Sequence, residues 1–89
     1  MRAVITVIGT DKKGIIASVS KILVERNINI LDISQTIMQD LFTMIMLVDI
    51  SEMNTGFDVL SGELETLGRD MDLSIRVQRE ECFNSMHRI

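Results

Sequence analysis

The period of the hydrophobic pattern changes along this chain in a fixed order, and that order constrains the fold more than any other feature. Two stretches carry apolar residues at helical spacing, and each lies between stretches of β-branched or alternating apolar residues. The pattern predicts the order strand, helix, strand, strand, helix, strand. The predicted strands are residues 3–8, 29–38, 41–50 and 71–78, and the apolar stripes of the predicted helices are residues 15–23 and 57–67.

With right-handed crossover connections, this order gives an α+β fold of the ferredoxin-like plan. A four-stranded antiparallel sheet then has two helices on one face. The two middle strands form a hairpin around Gln39 and Asp40, and the first of them, residues 29–38, is expected at an edge of the sheet. Because residues 41–50 are apolar on both sides, we expect the C-terminal tail and a second subunit to cover the open face of the sheet.

Polar residues and glycines predict where the two helices begin and end. Asp11 can accept hydrogen bonds from the first turn of the first helix, and Asn27 can end that helix in the left-handed conformation. Thr55 and Asp58 resemble a shortened capping box at the start of the second helix. We expect that helix to end at Gly68.

Length and charge narrow the class of protein. The 89 residues make one domain, residues 1–89, and residues 80–89 are expected to form a short helical extension with His87 in its last turn. The net charge of −4 argues against nucleic acid as a partner, since phosphate backbones are held by clustered Lys and Arg. The lone Cys82 cannot form an internal disulfide, and no apolar run approaches the length of a membrane span. We therefore expect a cytoplasmic protein with no membrane partner.

The segment GTDKKGII, residues 9–16, precedes the first helix and discriminates between functions that share this fold. Gly9 and Gly14 have the spacing of a phosphate-binding loop, but Ile15 and Ile16 stand where an NTPase has lysine and a hydroxyl residue. A metal chaperone needs a Cys-x-x-Cys motif here, and an acylphosphatase-like enzyme needs an arginine. The segment has no cysteine and no arginine, so it does not support either function. An RNA-recognition module needs aromatic residues on both central strands. Only one of these strands has any, so the sequence does not support RNA recognition either.

No set of residues in the sequence predicts catalysis or a metal site. Cys82 and His87 are five residues apart, which does not align them on one helical face. Asp32 and Asp49 lie on predicted strands without the paired acid that acid–base catalysis requires. We therefore expect that the protein is not an enzyme and that it holds no metal or cofactor.

The stretch GTDKKGIIASVSKILVERNINILDISQT resembles the ACT domain, the small-ligand regulatory module of amino-acid metabolism. The resemblance is carried by a polar loop ending in Gly14, by the apolar Ile15, and by Asn29 and Ile30 at the start of the next strand. It extends over essentially the whole chain, and RVQREECFNSMHRI is similar to stand-alone ACT proteins related to the regulator of glycine cleavage. Many ACT domains have proline before the loop glycine, where this chain has Lys13.

The resemblance implies a ligand-binding loop next to a strand asparagine. Gly14 lets a ligand approach the backbone, and the helix behind it presents N–H groups that favour a carboxylate. Asp11 either takes the ligand's amino group or only caps the helix. Asn29 can bond a carboxylate and an ammonium at once. The candidate ligand-binding residues are Thr10, Asp11, Lys12, Lys13, Gly14, Ile15, Asn29 and Ile30.

Two functions stay open at this stage. The first is a regulatory module that senses an amino acid or a related metabolite and acts through another protein. The second is an interaction module without a ligand, whose role is assembly alone. We expect a homodimer through the edge strand, residues 29–38, which has no proline or lysine and whose only charge is Asp32. In such a dimer the loop of one copy, residues 10–14, lies beside Asn29 of the other.

Overall fold

A computed structural model describes residues 1–10 and 13–86 of the chain. It has the predicted order of strands and helices, followed by a short C-terminal helix. The elements are β1 (Arg2–Gly9), α1 (Ile15–Glu25), β2 (Asn29–Met38), β3 (Leu41–Asp49), α2 (Phe57–Met71), β4 (Ser74–Arg79) and α3 (Glu80–Met86). The predicted α+β, ferredoxin-like fold is confirmed.

The four strands form one antiparallel sheet in the order β2-β3-β1-β4. The strand β2 therefore lies at an edge, as predicted. A bulge between Ile30 and Asp32 shifts the register of β2 against β3 by one residue. Beyond the bulge the pairing is regular up to Met38 opposite Leu41, so the hairpin is tight.

The core lies between one face of the sheet and the helices α1 and α2. Successive strand side chains alternate between this helix face and the open face. The buried strand residues belong to the helix face, except Val4, which is buried on the open face. Within the described residues the core contains no buried polar side chain, so the burial of apolar surface holds these layers together. The fully buried side chains of the core are Ala3, Ile5, Val7, Ile15, Val19, Leu23, Met44, Met46, Val48, Leu60 and Leu64.

The helix α1 ends as the sequence predicts, with Asn27 in the left-handed conformation at φ 58°. The capping box expected at the start of α2 is wrong, because the helix begins after Gly56 and no side chain caps it. The expected end of α2 at Gly68 is also wrong. The helix continues to Met71, and Asp72 takes the left-handed conformation at φ 58°.

Gly68 has a different role from the one that its sequence position suggests. It lies on the buried face of α2, and a Cβ atom there would be 2.8 Å from the backbone oxygen of Leu73. The glycine therefore lets the chain return closely against α2, where the Leu73 N–H donates to the Gly68 oxygen at 2.7 Å. Because α2 runs on to Met71, β4 begins at Ser74, later than the predicted start of the last strand.

The open face of the sheet is partly covered by α3, which contacts β1 and β4. The Arg2 guanidinium holds the start of this helix with two bonds to the Glu80 carboxylate, at 3.1 and 2.7 Å. The tail therefore covers part of this face, as expected. The predicted position of His87 in the last turn lies outside the described residues.

Candidate ligand-binding site

The loop between β1 and α1 depends on the backbone conformation of Gly14. Its φ is 74°, in the left-handed region, although a Cβ atom at this position would meet nothing within 4 Å. The conformation, and not crowding, therefore favours glycine here. Lys13 and Gly14 are exposed, Thr10 is exposed at the other end of the loop, and Asp11 lies outside the described residues.

Lys12 also lies outside the described residues, whereas Ile15 is the first residue of α1. The Ile15 side chain has no exposed surface and belongs to the core, so it can offer a ligand only its backbone. The first N–H groups of a helix have no partner within the helix and carry a partial positive charge. No side chain of the described residues caps this end of α1. The loop therefore presents backbone donors beside an exposed cation, Lys13.

Asn29 begins β2 and is paired with Asp49 of β3. Both residues line a cleft of about 340 Å³ that Glu52 and Asn27 also line. Hydrogen bonds from the Ser51 hydroxyl and the Ser51 N–H hold the pKa of Asp49 below its ordinary value. Asn29 therefore lies beside two carboxylates, those of Asp49 and Glu52, and the N-terminal ammonium of the chain lies 3.8 Å from the Asp49 carboxylate.

The backbone around Asn29 is fixed by hydrogen bonds between the end of α1 and the loop after β3. The Asn27 side-chain amide donates to the backbone oxygen of Glu52 at 2.9 Å, and the Asn54 side-chain amide donates to the backbone oxygen of Glu25 at 3.0 Å. Ile30, the next predicted site residue, is half-buried and packs against the core. Its side chain anchors β2, so Asn29 is held at a defined position.

The loop and Asn29 lie at opposite ends of the sheet. Gly9, just before the loop, is paired with Phe42, whereas Asn29 is paired with Asp49 at the other end of β3. Seven residues along a strand span about 23 Å, which is too far for one small ligand to contact both groups. Within one chain the structure brings the loop residues together and brings Asn29 to Asp49, but it does not join the two sets.

Sequence reasoning missed Asp49 and Glu52 as neighbours of Asn29. Counting back along the predicted hairpin places Asp49 opposite Ile30, one residue away from Asn29. The bulge, which the sequence does not reveal, moves Asn29 into that position. In the described residues, no group of three or more His, Cys, Asp or Glu side chains can hold a metal ion. Within the same part of the chain, no helix is long and apolar enough to cross a membrane.

The fold and the loop define a class, a ferredoxin-like domain with a glycine-containing loop before its first helix. A family model described as an ACT domain matches residues 2–78. A UPF0237 protein of Clostridium acetobutylicum is 58% identical over 89 residues, covering 100% of both chains. The solved structure of an ACT domain protein from Streptococcus pneumoniae has a TM-score of 0.81 and 41% identity, over 93% of each chain.

A solved structure assigned as a glycine cleavage system transcriptional repressor is also similar. Its TM-score is 0.72 at 29% identity, over 88% of this chain and 44% of that one. The chain belongs to the ACT domain family. ACT domains are regulatory ligand-binding modules. The resemblance seen in the sequence, including the relation to the glycine-cleavage regulator, is thus confirmed.

Proposed function

We propose that this chain is a cytoplasmic regulatory module, not an enzyme, and that it senses an amino acid or related metabolite as a homodimer. Its working unit is a single ACT domain of residues 1–89, and it acts through a partner protein. The proposal is supported by membership of the ACT family and by similarity to a protein assigned as a transcriptional repressor. The main supporting observation is that the exposed edge strand β2 lies between the two separate parts of the candidate site, the loop before α1 and Asn29.

The edge strand β2 connects these two halves. After Ile30 every residue of β2 is exposed, including Ile33 and Ile37 on the helix face of the sheet. An edge strand with unpaired backbone groups and exposed apolar side chains favours pairing with another strand. Antiparallel pairing of two β2 strands about a twofold axis brings the Asn29 end of one copy to the hairpin end of the other. The loop of the second copy lies at that same end.

The groups that meet in such a dimer are complementary to a zwitterion. Gly14 and the first turn of α1 offer backbone N–H groups to a carboxylate. From the other copy, Asn29 offers an amide and Asp49 a carboxylate to an ammonium group. Asp11 and Lys13 both precede the loop glycine within three residues in the sequence, so both charges of the ligand have partners of opposite sign nearby.

A thermal-shift screen of the full chain against the twenty amino acids tests the proposed function. A ligand that binds only the folded dimer raises its Tm in proportion to the logarithm of its concentration. We expect one or a few related amino acids to do so. Asn29→Ala then abolishes the shift, whereas Asp70→Ala, which removes a side chain of the same size from the exposed face of α2, preserves it. An unchanged shift in Asn29→Ala contradicts the assignment of the site.

The second candidate function is assembly without a ligand. It is favoured by the exposed apolar residues of β2, which would drive pairing whether or not a ligand is present. A stable dimer with no thermal shift from any amino acid supports this function over the first. A dimer whose Tm rises with one class of amino acid excludes it.

A further inference from the structure

A groove on the open face of the sheet lies outside the candidate site described above. It has a volume of about 380 Å³ and is formed between the strands β3, β1 and β4 and the helix α3. Its lining includes Thr6, Ile8, Ile45, Arg76 and Phe83, and none of the eight candidate ligand-binding residues takes part in it. Volumes of this size are typical of small-molecule sites.

One wall of the groove consists of exposed apolar side chains. Ile8 is 40% exposed and Ile45 is 38% exposed, although both lie in inner strands of the sheet. The Phe83 ring from α3 lines the groove with them. A ligand with an apolar body would remove this surface from water, which favours binding.

The other wall carries a cation that lacks an ion-pair partner among the described residues. The other described arginines have partners: Arg2 pairs with Glu80, Arg26 with Glu63 and Arg69 with Glu65, and Arg79 lies over the Phe57 ring. Arg76 is exposed and is the only charged residue in the described lining of the groove. A guanidinium presents a planar fork of donors that fits a carboxylate.

The register of the sheet sets the distance between these two walls. Thr6 of β1 is paired with Ile45 on one side and with Arg76 on the other, so the three residues form one row across the sheet. Neighbouring strands are about 4.8 Å apart, so the backbone positions of Ile45 and Arg76 are separated by about 10 Å. A ligand with its charge at one end and its apolar body at the other can lie along this row.

We propose that this groove binds a small monocarboxylate with an aromatic or branched apolar body. The carboxylate bonds the Arg76 guanidinium, and the apolar body covers Ile8 and Ile45 beside Phe83. The volume corresponds to roughly a dozen water molecules, and so to a ligand of about a dozen non-hydrogen atoms. No acidic side chain lines the described groove, so an α-ammonium group has no ion-pair partner there and would lie near the Arg76 cation. The site therefore prefers acids without an amino group, in contrast to the dimer site.

The test is a titration of the ¹⁵N-labelled 89-residue chain with 3-phenylpropionate, followed by amide chemical shifts. We expect saturable shifts at Thr6, Ile8, Ile45 and Ser74, with a Kd of about 1 mM for a ligand of this size. Arg76→Gln weakens binding by about tenfold or more, since it removes a charge-assisted hydrogen bond. Arg69→Gln removes the same charge from the exposed surface of α2 and leaves the Kd unchanged. Asn29→Ala also leaves it unchanged, which separates this groove from the proposed dimer site.

The unmodified protein supplies a second comparison that does not depend on a variant. The neutral isostere 3-phenylpropanamide is expected to bind at least tenfold more weakly than the acid, and Arg76→Gln does not weaken it further. Equal affinities for the acid and the amide overturn the proposal. So do saturable shifts confined to other surfaces, an unchanged Kd in Arg76→Gln, or the absence of saturable shifts at the groove. These outcomes leave the dimer site and its thermal-shift test unaffected.

Discussion

Asn29 faces Asp49 because of one irregularity in the hairpin. Counting back from the hairpin turn, a regular ladder would pair Ile30 with Asp49, but the bulge after Ile30 moves Asn29 into that place. The amide and the carboxylate thereby become cross-strand neighbours. Such a pair offers both donors and an acceptor, which is the set that a zwitterion requires.

At Gly14 the backbone conformation sets the effect of a substitution. Gly14 and Gly62 both have open space where a Cβ atom would lie, but only Gly14 has a positive φ. We expect Gly14→Ala to lower the free energy of unfolding by about 1 kcal/mol, since alanine is strained in the left-handed region. Gly62→Ala, inside α2, is expected to raise it by about 0.5–1 kcal/mol. Urea unfolding of both variants measures the contrast, and equal effects would contradict it.

At the scale of elements, one ion pair joins the C-terminal end of α1 to α2. The Arg26 guanidinium donates to both carboxylate oxygens of Glu63, at 2.7 and 2.6 Å. The bonds from Arg26 lower the pKa of Glu63, and the same pair raises the pKa of Arg26. Both side chains are partly exposed, so solvent screens the interaction and its contribution to stability is small.

The lowered pKa of Glu63 determines the direction of a pH effect. The stabilisation is present above the pKa of the unfolded carboxyl and is lost as the pH falls through the lower pKa of the folded state. Glu63→Gln is therefore expected to reduce the free energy of unfolding more at pH 7 than at pH 3. Urea unfolding at the two pH values measures this loss. Glu65→Gln is the control, because it removes a carboxylate whose ion pair with Arg69 is exposed and lies within the single helix α2. An equal loss at both pH values would show that the charge of Glu63 does not contribute to the free energy of unfolding.

Much of the element order could be predicted from the sequence, because helical and strand periods are local signals. The end of α1 at a left-handed Asn27 followed from such a local signal. The edge position of β2 followed from the element order and the handedness of crossovers. The end of α2 could not be predicted, because Gly68 is required by a contact with Leu73 that forms only in the folded chain. The bulge that pairs Asn29 with Asp49 was hidden for the same reason.

At the scale of the whole molecule, the exposed edge of β2 predicts the oligomeric state. Ile37 on β2 is 55% exposed and Val59 on α2 is 53% exposed, so lysine at either position is compatible with the fold. We expect Ile37→Lys to weaken the dimer at least tenfold, because a charged residue on an edge strand opposes pairing. Val59→Lys should leave it intact. Sedimentation measures both dissociation constants, and equal constants for the two variants would exclude pairing through β2.

The central claim is that two copies of the chain complete one ligand site. A mixture of two defective variants tests this claim most directly. In the proposed dimer, Asp11→Ala damages the loop of one copy and Asn29→Ala damages the strand start of the other. A mixed dimer then contains one intact site, with its loop from the Asn29→Ala chain and its asparagine from the Asp11→Ala chain.

The measurement is calorimetric titration of the mixture with the amino acid that gives the largest thermal shift. Neither variant alone is expected to bind. Random exchange of subunits should restore about a quarter of the sites of the parent protein, because half of the dimers are mixed and each has one of two sites intact. A mixture that binds no better than the separate variants would contradict a site shared between two chains.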